Sequence, residues 1–267
     1  MTEQAQMPNG RALVTGAGKR LGRAMALCLA ERGHDVAVHY ATSRIDAEAV
    51  AEEIRALGQR AITLQADLLD EHQTQALMGQ AAEGLGGPIT VLVNNASIFD
   101  YDNITTATRE SWDRHIGSNL RAPFVLTQAL AAGIPDPERD GNAELVAQGL
   151  VVNMVDQRVE KLTPEFMTYT IAKMGLWAFT QTAAQALAPK VRVNAIAPGP
   201  TMIGARQSAE HFAKQRAATI LQRGANPEDI VAALRYLLDA PAVTGQLLFV
   251  DGGQHMGWRT PDVIGTE

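Results

Sequence analysis

Hydrophobic residues along this chain follow two alternating patterns. Short runs rich in Val, Ile and Leu are separated by longer, Ala-rich stretches in which apolar residues recur at helical spacing. The short runs are typical of buried strands, and the longer stretches are typical of helices that pack against them. The pattern predicts strands at 11–15, 35–40, 61–65, 90–94, 149–155, 191–196 and 246–250. It predicts helices at 20–32, 45–57, 70–84, 108–131, 164–188, 208–221 and 227–238.

The regular alternation of strands and helices determines the predicted architecture. Parallel strands need helical crossovers, and because those crossovers are right-handed the helices cover both faces of the sheet. We therefore expect a doubly wound α/β fold with about seven parallel strands, in one domain spanning 1–267. The proline-rich, charged segment 133–144 predicts a surface excursion. Residues 1–10 and 254–267 are predicted tails, the second of which either packs on a neighbouring subunit or frays.

Composition narrows the range of functions. With 267 residues, of which 46% are hydrophobic and 19% charged, the chain can bury one substantial core. A formal net charge of -6 disfavours a general nucleic-acid binder, whose affinity depends on a basic surface, and favours small-molecule chemistry. The single cysteine, Cys28, excludes a disulfide framework, and its apolar neighbours predict a buried side chain. We find neither a signal-peptide pattern nor a membrane-spanning stretch, and we expect a cytoplasmic protein.

A glycine-rich turn, VTGAGKRLG, joins the first predicted strand to the first predicted helix. In open α/β sheets, ligands bind beyond the carboxyl ends of the strands, where free backbone N–H groups and the positive end of a helix dipole attract phosphate. Gly16, Gly18 and Gly22 occupy that turn, although their spacing departs from the G-x-G-x-x-G fingerprint. The position of the turn predicts that the chain binds a dinucleotide.

The end of the second strand indicates which dinucleotide binds. Sites specific for NAD usually place Asp or Glu there to bond the ribose hydroxyls. This chain has the segment Thr42–Arg44 at that point and no acid before Asp46. Hydroxyl groups and a guanidinium suit a 2′-phosphate, which Lys19 or Arg20 of the first turn can also approach. The sequence therefore predicts NADP(H), with solvated surface cations as the alternative interpretation.

Two further stretches fit the adenosine half of a dinucleotide. Asp67 follows the third strand, where its carboxylate and the Leu68 backbone can receive adenine. Asn94, Asn95 and Ala96 lie at the end of the fourth strand, where small groups let the backbone approach a cofactor. An Asn pair after a strand is equally compatible with a plain turn.

Tyr169 and Lys173, in the sequence YTIAK, are four residues apart and share one face of a predicted helix. An ammonium group near a phenol favours the phenolate, which predicts a lowered pKa for Tyr169. A tyrosine with such a pKa is a usable proton donor in catalysis.

Beside YTIAK, three motifs extend the pattern: GSNL with Asn119, VRVNAIAPGP at 191–200 and VDGG at 250–253. Together they resemble the short-chain dehydrogenase/reductase family over nearly the whole chain, from residue 11 to residue 253. The resemblance implies a Rossmann-type sheet, hydride transfer with a nicotinamide cofactor, a small-molecule substrate and usually a homotetramer. The cofactor contacts that it implies are Gly16, Gly18, Lys19, Arg20, Leu21, Tyr40, Thr42, Ser43, Arg44, Asp67, Leu68, Asn95, Ala96, Ser97, Met154, Tyr169, Lys173, Pro198 and Gly199.

One position departs from the family pattern, which has Ser about thirteen residues before the Tyr. Here that position is Asp156. Reduction of a ketone builds negative charge on oxygen, which an ionised carboxylate opposes. Reduction of a ring C=N bond puts hydride on carbon and needs a proton on nitrogen, which an acid coupled to Tyr169 can supply. Asp156 therefore favours C=N reduction over reduction of a simple carbonyl.

Several motifs together, TGAGKRLG, NNASIF, NMVD and YTIAK, resemble the pteridine reductases and related dihydropteridine reductases. This resemblance implies that Arg20 lies near the cofactor phosphates and the pterin, that Ser97 contacts the pterin, and that Phe99 stacks on it. A plain turn for Ser97 and core packing for Phe99 are the alternatives. The implied catalytic set is Asp156, Tyr169, Lys173 and Asn119. In that set, Lys173 holds the nicotinamide ribose and Asn119 holds a water.

The leading hypothesis is an NADPH-dependent reductase of pterin-like rings, of the dihydropteridine or folate type. A reductase of another carbonyl or imine substrate and a non-catalytic NADP(H)-binding sensor are the alternatives, although the intact Tyr169 and Lys173 pair speaks against the sensor. The six histidines have no paired spacing near an acid, so we expect no metal site and regard them as structural or surface residues. Asp100 and Asp102 either rim the substrate pocket or form a turn.

Overall fold

The computed structural model describes residues 10–204 and 207–258, which form one α/β unit. Its strands are β1 (Arg11–Val14), β2 (Asp35–Tyr40), β3 (Ala61–Gln65), β4 (Val91–Asn94), β5 (Glu138–Arg139), β6 (Leu145–Val146), β7 (Gly149–Met154), β8 (Val191–Pro198) and β9 (Leu247–Val250). Its helices are α1 (Arg20–Glu31), α2 (Arg44–Ala56), α3 (Glu71–Leu85), α4 (Arg109–Ile116), α5 (Ala122–Gly133), α6 (Met167–Leu187), α7 (Ala209–Ala217) and α8 (Pro227–Asp239).

The main sheet of the described residues has seven parallel strands in the order β3-β2-β1-β4-β7-β8-β9. Strand β1 lies between β2 and β4, with Val14 paired to Val38 on one side and to Val93 on the other. The direction in which the strands are added reverses at this point. Ligands of open α/β sheets bind in the crevice outside the carboxyl ends of the strands at such a reversal.

Apolar side chains bury both faces of the sheet. On one face, Met25 of α1 and Ile54 of α2 pack with Leu234 of α8 against the buried valines of the strands. On the other face, Leu77 of α3 and Leu126 of α5 form a second core. Two covered faces explain why the strands are continuous apolar runs instead of alternating ones. The Rossmann-type fold predicted from the sequence is confirmed.

The predicted helix 108–131 is wrong as a single element. It consists of α4, one π-helical turn over Gly117–Arg121, and α5. Pro123 lacks an N–H group and cannot donate to the carbonyl of residue 119, so the segment lacks one hydrogen bond of a regular α-helix. Such π-helical turns occur frequently at functional sites.

Two other segments refine the predicted elements. The surface excursion at 133–144 contains the start of a small antiparallel hairpin, in which β5 pairs with β6. Helix α6 begins at Met167 and not at residue 164, because Phe166 adopts a left-handed backbone conformation with φ 56°. A left-handed residue interrupts a right-handed helix, so α6 does not extend back through Phe166.

No helix among residues 10–204 and 207–258 is long and apolar enough to cross a membrane. The cytoplasmic location stays a prediction. Residues 1–9 and 259–267 lie outside the described residues, as does most of the C-terminal tail that was predicted to contact a neighbouring subunit. Cys28 is buried in α1, as its apolar neighbours predicted.

Candidate active site

The glycine-rich turn after β1 is fixed by hydrogen bonds from the end of β4. Asn95 donates its side-chain amide to the carbonyls of Thr15 and Gly16, at 2.8 and 3.2 Å. The Thr15 hydroxyl accepts the Asn95 backbone N–H at 2.9 Å. A Cβ atom on Gly22 would lie 2.2 Å from the Gly16 carbonyl oxygen, so that position requires glycine. The turn is therefore narrow and close to the backbone of the β4 loop, as a site for a diphosphate requires.

His39, at the end of β2, connects this turn to the end of β3. Its Nδ1 accepts the Gly16 N–H at 3.0 Å, and its Nε2 lies 3.1 Å from the Ala66 carbonyl oxygen. The backbone carbonyl of His39 accepts the Ala17 N–H at 2.8 Å. Burial lowers the pKa of His39 to about 4, so the ring is neutral and donates its Nε2 proton to Ala66. The predicted structural role of His39 is therefore to hold the cofactor turn.

The predicted 2′-phosphate site lies where α2 begins. A Cβ on Gly18 would lie 3.1 Å from the Ser43 hydroxyl oxygen, so the first turn and the start of α2 are adjacent. Arg44 is the first residue of α2 and its side chain is exposed, as is that of Thr42. Lys19 forms an ion pair with Asp46 at 2.9 Å. Asp46 is thus paired with Lys19. The N-terminus of α2 and the Ser43 hydroxyl group remain as groups that can bind an anion.

The predicted adenosine contacts follow β3 and β4. Asp67 is exposed, and its carboxylate accepts the Leu69 N–H at 3.0 Å, while Leu68 is buried. Asn94 is buried and donates to the Asn153 side chain at 2.8 Å. Asn94 therefore joins β4 to β7 beneath the site and does not belong to a plain turn.

Arg20 has different partners from those that the family resemblance implies. Its guanidinium donates to the backbone carbonyls of Ile203 and Met202, at 2.7 and 3.1 Å, and lines the main cavity. Its own backbone is left-handed, with φ 54°. Arg20 therefore connects the cofactor turn to the loop after β8, and its contact with phosphate or pterin stays a prediction.

Asp156 and Tyr169 form the chemical centre of the site. The Tyr169 phenol donates to Asp156 Oδ2 at 2.8 Å, and the backbone N–H of Arg158 donates to Asp156 Oδ1 at 2.9 Å. Burial raises the pKa of Asp156, although both hydrogen bonds oppose the rise. A carboxyl with a raised pKa, bonded to a phenol, can hold a proton and pass it on.

The expected lowering of the Tyr169 pKa is wrong for this structure. Burial, followed by the charge of Asp156 and its hydrogen bond, raises that pKa well above its ordinary value. Lys173 donates to the Met154 carbonyl at 2.7 Å, and its Nζ lies 5.6 Å from the centre of the Tyr169 ring. Burial lowers the pKa of Lys173 to about 8. The group that is hydrogen-bonded to the phenol is therefore the carboxyl of Asp156 and not the ammonium group of Lys173.

A cavity of about 770 Å³ opens beside Asp156 and contains an aromatic cluster. Phe99 stacks on Phe166 with ring centres 4.3 Å apart, and it meets Tyr169 edge-on at 4.6 Å. The Arg158 guanidinium lies 4.9 Å from the centre of the Phe166 ring. Phe99 is 41% exposed, so core packing does not explain this residue. An aromatic wall beside a proton donor suits a flat heterocycle.

Ser97 and Asn119 lie at the edge of this centre. The Ser97 hydroxyl is hydrogen-bonded to Tyr169 and acts to lower its pKa. The side chain of Asn119 accepts the Ile98 N–H and donates to the Ile98 carbonyl, both at 2.8 Å. Asn119 thereby holds the loop between Ser97 and Phe99, and the water that it was expected to hold stays a prediction.

The remaining predicted contacts lie around the same crevice. Leu21, Pro198 and Gly199 line the cavity, Met154 supplies the carbonyl for Lys173, and Tyr40 is buried at the end of β2. Among the described residues, no group of three or more His, Cys, Asp or Glu is arranged to hold a metal ion.

The chain is similar to known proteins over most of its length. A family profile described as Enoyl-(Acyl carrier protein) reductase matches residues 16–255. The chain belongs to the short-chain dehydrogenase/reductase family. It is therefore an oxidoreductase, as the motifs predicted.

Members of this family that resemble the chain over most of its length differ in their substrates. FolM Alternative dihydrofolate reductase 1 from Brucella canis, solved with NADP, is 41% identical with a TM-score of 0.89, and 98% of this chain and 100% of that chain are covered. The 3-oxoacyl-(acyl-carrier-protein) reductase FabG of Staphylococcus aureus (strain Mu50 / ATCC 700699) is 33% identical, and 92% of this chain and 98% of the relative are covered. Landomycin C-6 ketoreductase LanV, solved with NADP and rabelomycin, is 29% identical with a TM-score of 0.82, and 94% of this chain and 98% of that chain are covered.

Several residues of this short-chain reductase site could not be found from sequence motifs. Phe166 and Arg158 complete the aromatic wall, and Asp102 is buried near the start of α6 instead of rimming the pocket. The chain between Asp156 and Tyr169 is rich in charged residues, which gave no signal for an aromatic cluster. Phe166 has a left-handed backbone conformation, and its ring stacks on that of Phe99, which lies far away in the sequence.

Proposed function

We propose that the chain reduces a C=N bond in a pterin-like ring, of the dihydropteridine or folate type, with NADPH. The observation that carries the proposal is the 2.8 Å hydrogen bond from the Tyr169 phenol to Asp156, beside a cavity with an aromatic wall. A carboxyl group at this point suits protonation of a ring nitrogen. The similarity to FolM Alternative dihydrofolate reductase 1, at 41% identity, supports the same substrate class.

The cofactor is NADP(H), as the sequence predicted. The residues of this chain fit that cofactor. The turn from Gly16 to Gly22 would hold the diphosphate, and Ser43 with the first turn of α2 would hold the 2′-phosphate. When bound, NADPH supplies the hydride. Lys173, whose ammonium group is buried beside Met154, would bind the nicotinamide ribose.

The protein residues supply the proton. Tyr169 donates its phenolic proton to the ring nitrogen while the adjacent ring carbon receives hydride, so that C=N becomes CH–NH. Asp156, whose pKa burial raises and which accepts the phenolic hydrogen bond, would relay a proton back to the phenolate. Phe99, which is 41% exposed and belongs to the aromatic wall, would hold the ring by an aromatic contact.

Reduction of a carbonyl is the second candidate. It is favoured by the similarity to FabG, at 33% identity, and to the ketoreductase LanV, at 29%. Asp156 disfavours it in its ionised form, because a ketone develops negative charge on oxygen in the transition state. A protonated Asp156 removes that repulsion, so the substrate must be tested directly.

The test follows NADPH oxidation with dihydropterin, dihydrofolate, a quinonoid dihydropterin and a panel of ketones in parallel. We expect turnover with at least one pterin-like substrate and little with the ketones. Turnover with ketones alone would overturn the proposal. Tight NADPH binding without any turnover would instead favour a non-catalytic NADP(H)-binding sensor.

Two variants test the proposed roles. Tyr169→Phe removes the proton donor and should lower kcat by at least about a hundredfold, the usual size of a general acid contribution. Asp156→Ser restores the hydroxyl of the family pattern, and we expect it to lower pterin reduction and to raise ketone reduction. An Asp156→Ser enzyme with unchanged preference would show that the carboxyl does not select the substrate.

We further propose a homotetramer, which the family resemblance implies. Helix α6 carries Ile171 and Met174 with 40% and 42% of their surface exposed. Exposed apolar residues on one helix are typical of subunit contacts.

A further inference from the structure

The helix that carries Tyr169 and Lys173 begins without a capping side chain. Its first flanking residue, Phe166, is left-handed and makes no side-chain hydrogen bond to the helix start. The first N–H groups of a helix have no partner within the helix, and a buried N–H group without one is costly. The start of α6 therefore needs acceptors from elsewhere in the fold.

Asp102, far away in the sequence, supplies them. Its Oδ1 accepts the Thr168 N–H at 3.1 Å, and its backbone carbonyl accepts the Met167 N–H at 3.3 Å. Its Oδ2 accepts the Thr168 hydroxyl and, at 3.0 Å, the Ser111 hydroxyl. Asp102 is only 2% exposed, so these bonds form away from solvent. A carboxylate at this position also meets the positive end of the α6 dipole.

His115 extends the network to the loop of the aromatic wall. Its Nε2 accepts the Asp100 N–H at 3.1 Å, so the neutral ring carries its proton on Nδ1, which lies 2.7 Å from the Thr168 hydroxyl oxygen. Burial lowers the pKa of His115 and keeps it neutral. The chain of donors runs from His115 through Thr168 to Asp102, and every member is satisfied.

The network joins the two parts of the site that must be aligned. Asp100 directly follows Phe99 and Asp102 lies two residues further on. Thr168 directly precedes Tyr169. Phe99 and Tyr169 meet edge-on with ring centres 4.6 Å apart. A displacement of about 1 Å at a reacting group can cost about a hundredfold in rate.

We propose that Asp102 is a positioning residue that, through Thr168 and His115, fixes the phenol of Tyr169 relative to the aromatic wall. This inference rests on the proposed proton transfer from Tyr169. It adds to the reaction a buried carboxylate that does not touch substrate or cofactor. The network lies beside the proton donor and away from the glycine-rich turn, so it affects turnover more than cofactor binding.

The experiment compares variants of the full chain. Asp102→Asn and Thr168→Val should each lower kcat by about tenfold or more and leave the dissociation constant of NADPH, measured by its fluorescence, unchanged. Thr168→Ser keeps the hydroxyl and should restore kcat. Ser111→Ala, which removes one bond to the same carboxylate but none to α6, should lower the melting temperature without this loss of kcat.

The outcomes separate this inference from the proposed function. If Tyr169→Phe abolishes turnover while Asp102→Asn and Thr168→Val keep kcat, the positioning role alone is overturned. The same holds if kcat and NADPH affinity fall together, as they would in a merely destabilised enzyme. If Tyr169→Phe retains full turnover, both the proposed function and this inference fail. Should Asp102→Asn not fold, Thr168→Val and Thr168→Ser decide the question.

Discussion

At the scale of single residues, the proposed chemistry depends on the hydrogen bond between Tyr169 and Asp156. Both groups are acids whose pKa values are raised, mainly by burial. Two acids joined by a hydrogen bond titrate as a pair. Burial makes each hold its proton more tightly than it would in water, although the hydrogen bond itself lowers the pKa of Asp156. Lys173 is the buried cation of this centre, and it depends on its proton for any attraction to a phenolate.

The first prediction concerns the pH dependence of Lys173. Since burial lowers its pKa to about 8, Lys173 is charged below that pH and neutral above it. We expect kcat/KM to fall as the pH rises through about 8, because this ratio reports the free enzyme. The measurement is the pH profile of kcat/KM for wild type and for Lys173→Arg, whose guanidinium keeps its proton. If kcat/KM falls at the same high pH in both proteins, the fall is caused by another group and not by Lys173.

At the scale of elements, the site is built from strand ends and the loops that join them. His39 holds the turn after β1 against the end of β3, and Arg20 holds the same turn against the loop after β8. Both side chains bond to backbone groups, which no local sequence pattern identifies. Neither side chain takes part in the proposed proton transfer, so their contributions can be measured separately from that reaction.

The second prediction concerns His39 and stability. Its folded pKa is about 4, against 6.5 for an ordinary histidine, so between these values the unfolded chain binds more protons than the folded one. The stability that His39 contributes is complete above pH 6.5 and is lost as the pH falls toward 4. The shift corresponds to about 3 kcal/mol in the free energy of unfolding.

The measurement is denaturant unfolding across this pH range. We expect His39→Gln to flatten the rise in stability between pH 4 and 6.5. His72→Gln, at an exposed position, is the matched control and should keep the wild-type slope. Identical slopes in wild type and His39→Gln would contradict the buried, neutral state of His39.

The third prediction concerns Arg20 and the loop after β8. Arg20→Ala removes two charged hydrogen bonds to that loop, so we expect the KM of the pterin-like substrate to rise by about tenfold with a smaller change in kcat. Arg23→Ala, which breaks an exposed ion pair with Glu53, is the control. If instead only the KM of NADPH rises, the guanidinium binds the cofactor phosphates, as the family resemblance implies.

At the scale of the whole molecule, the order of the strands places the candidate site residues next to one another. The carboxyl ends of β1, β4 and β7 are neighbours, and the glycine turn, Asn95 and Asp156 follow these three strands. Helix α6 then carries Tyr169 back to Asp156. The outer side of that helix exposes apolar residues, which is the basis of the proposed assembly.

The fourth prediction concerns that assembly. A tetramer in solution should be visible by light scattering, and Met174→Glu should shift it to smaller species, since a charge is costly to bury at an apolar contact. Leu57→Glu, at a residue of similar exposure just after α2, is the control and should keep the tetramer. A monomeric wild type would refute the proposed assembly.

The sequence by itself determined the alternation of strands and helices, the parallel sheet and the NADP(H) cofactor, and it singled out Asp156, Tyr169 and Lys173 as candidates. The elements follow from local periodicity, and the candidates follow from residue types at short spacing together with the family resemblance, all of which a chain shows without being folded. Only the tertiary structure decided the raised pKa of Tyr169, the partners of Arg20, the stacking of Phe166 on Phe99 and the burial of Asp102 at the start of α6. Each of these depends on desolvation or on contacts between residues far apart in the chain, and no local pattern records such contacts.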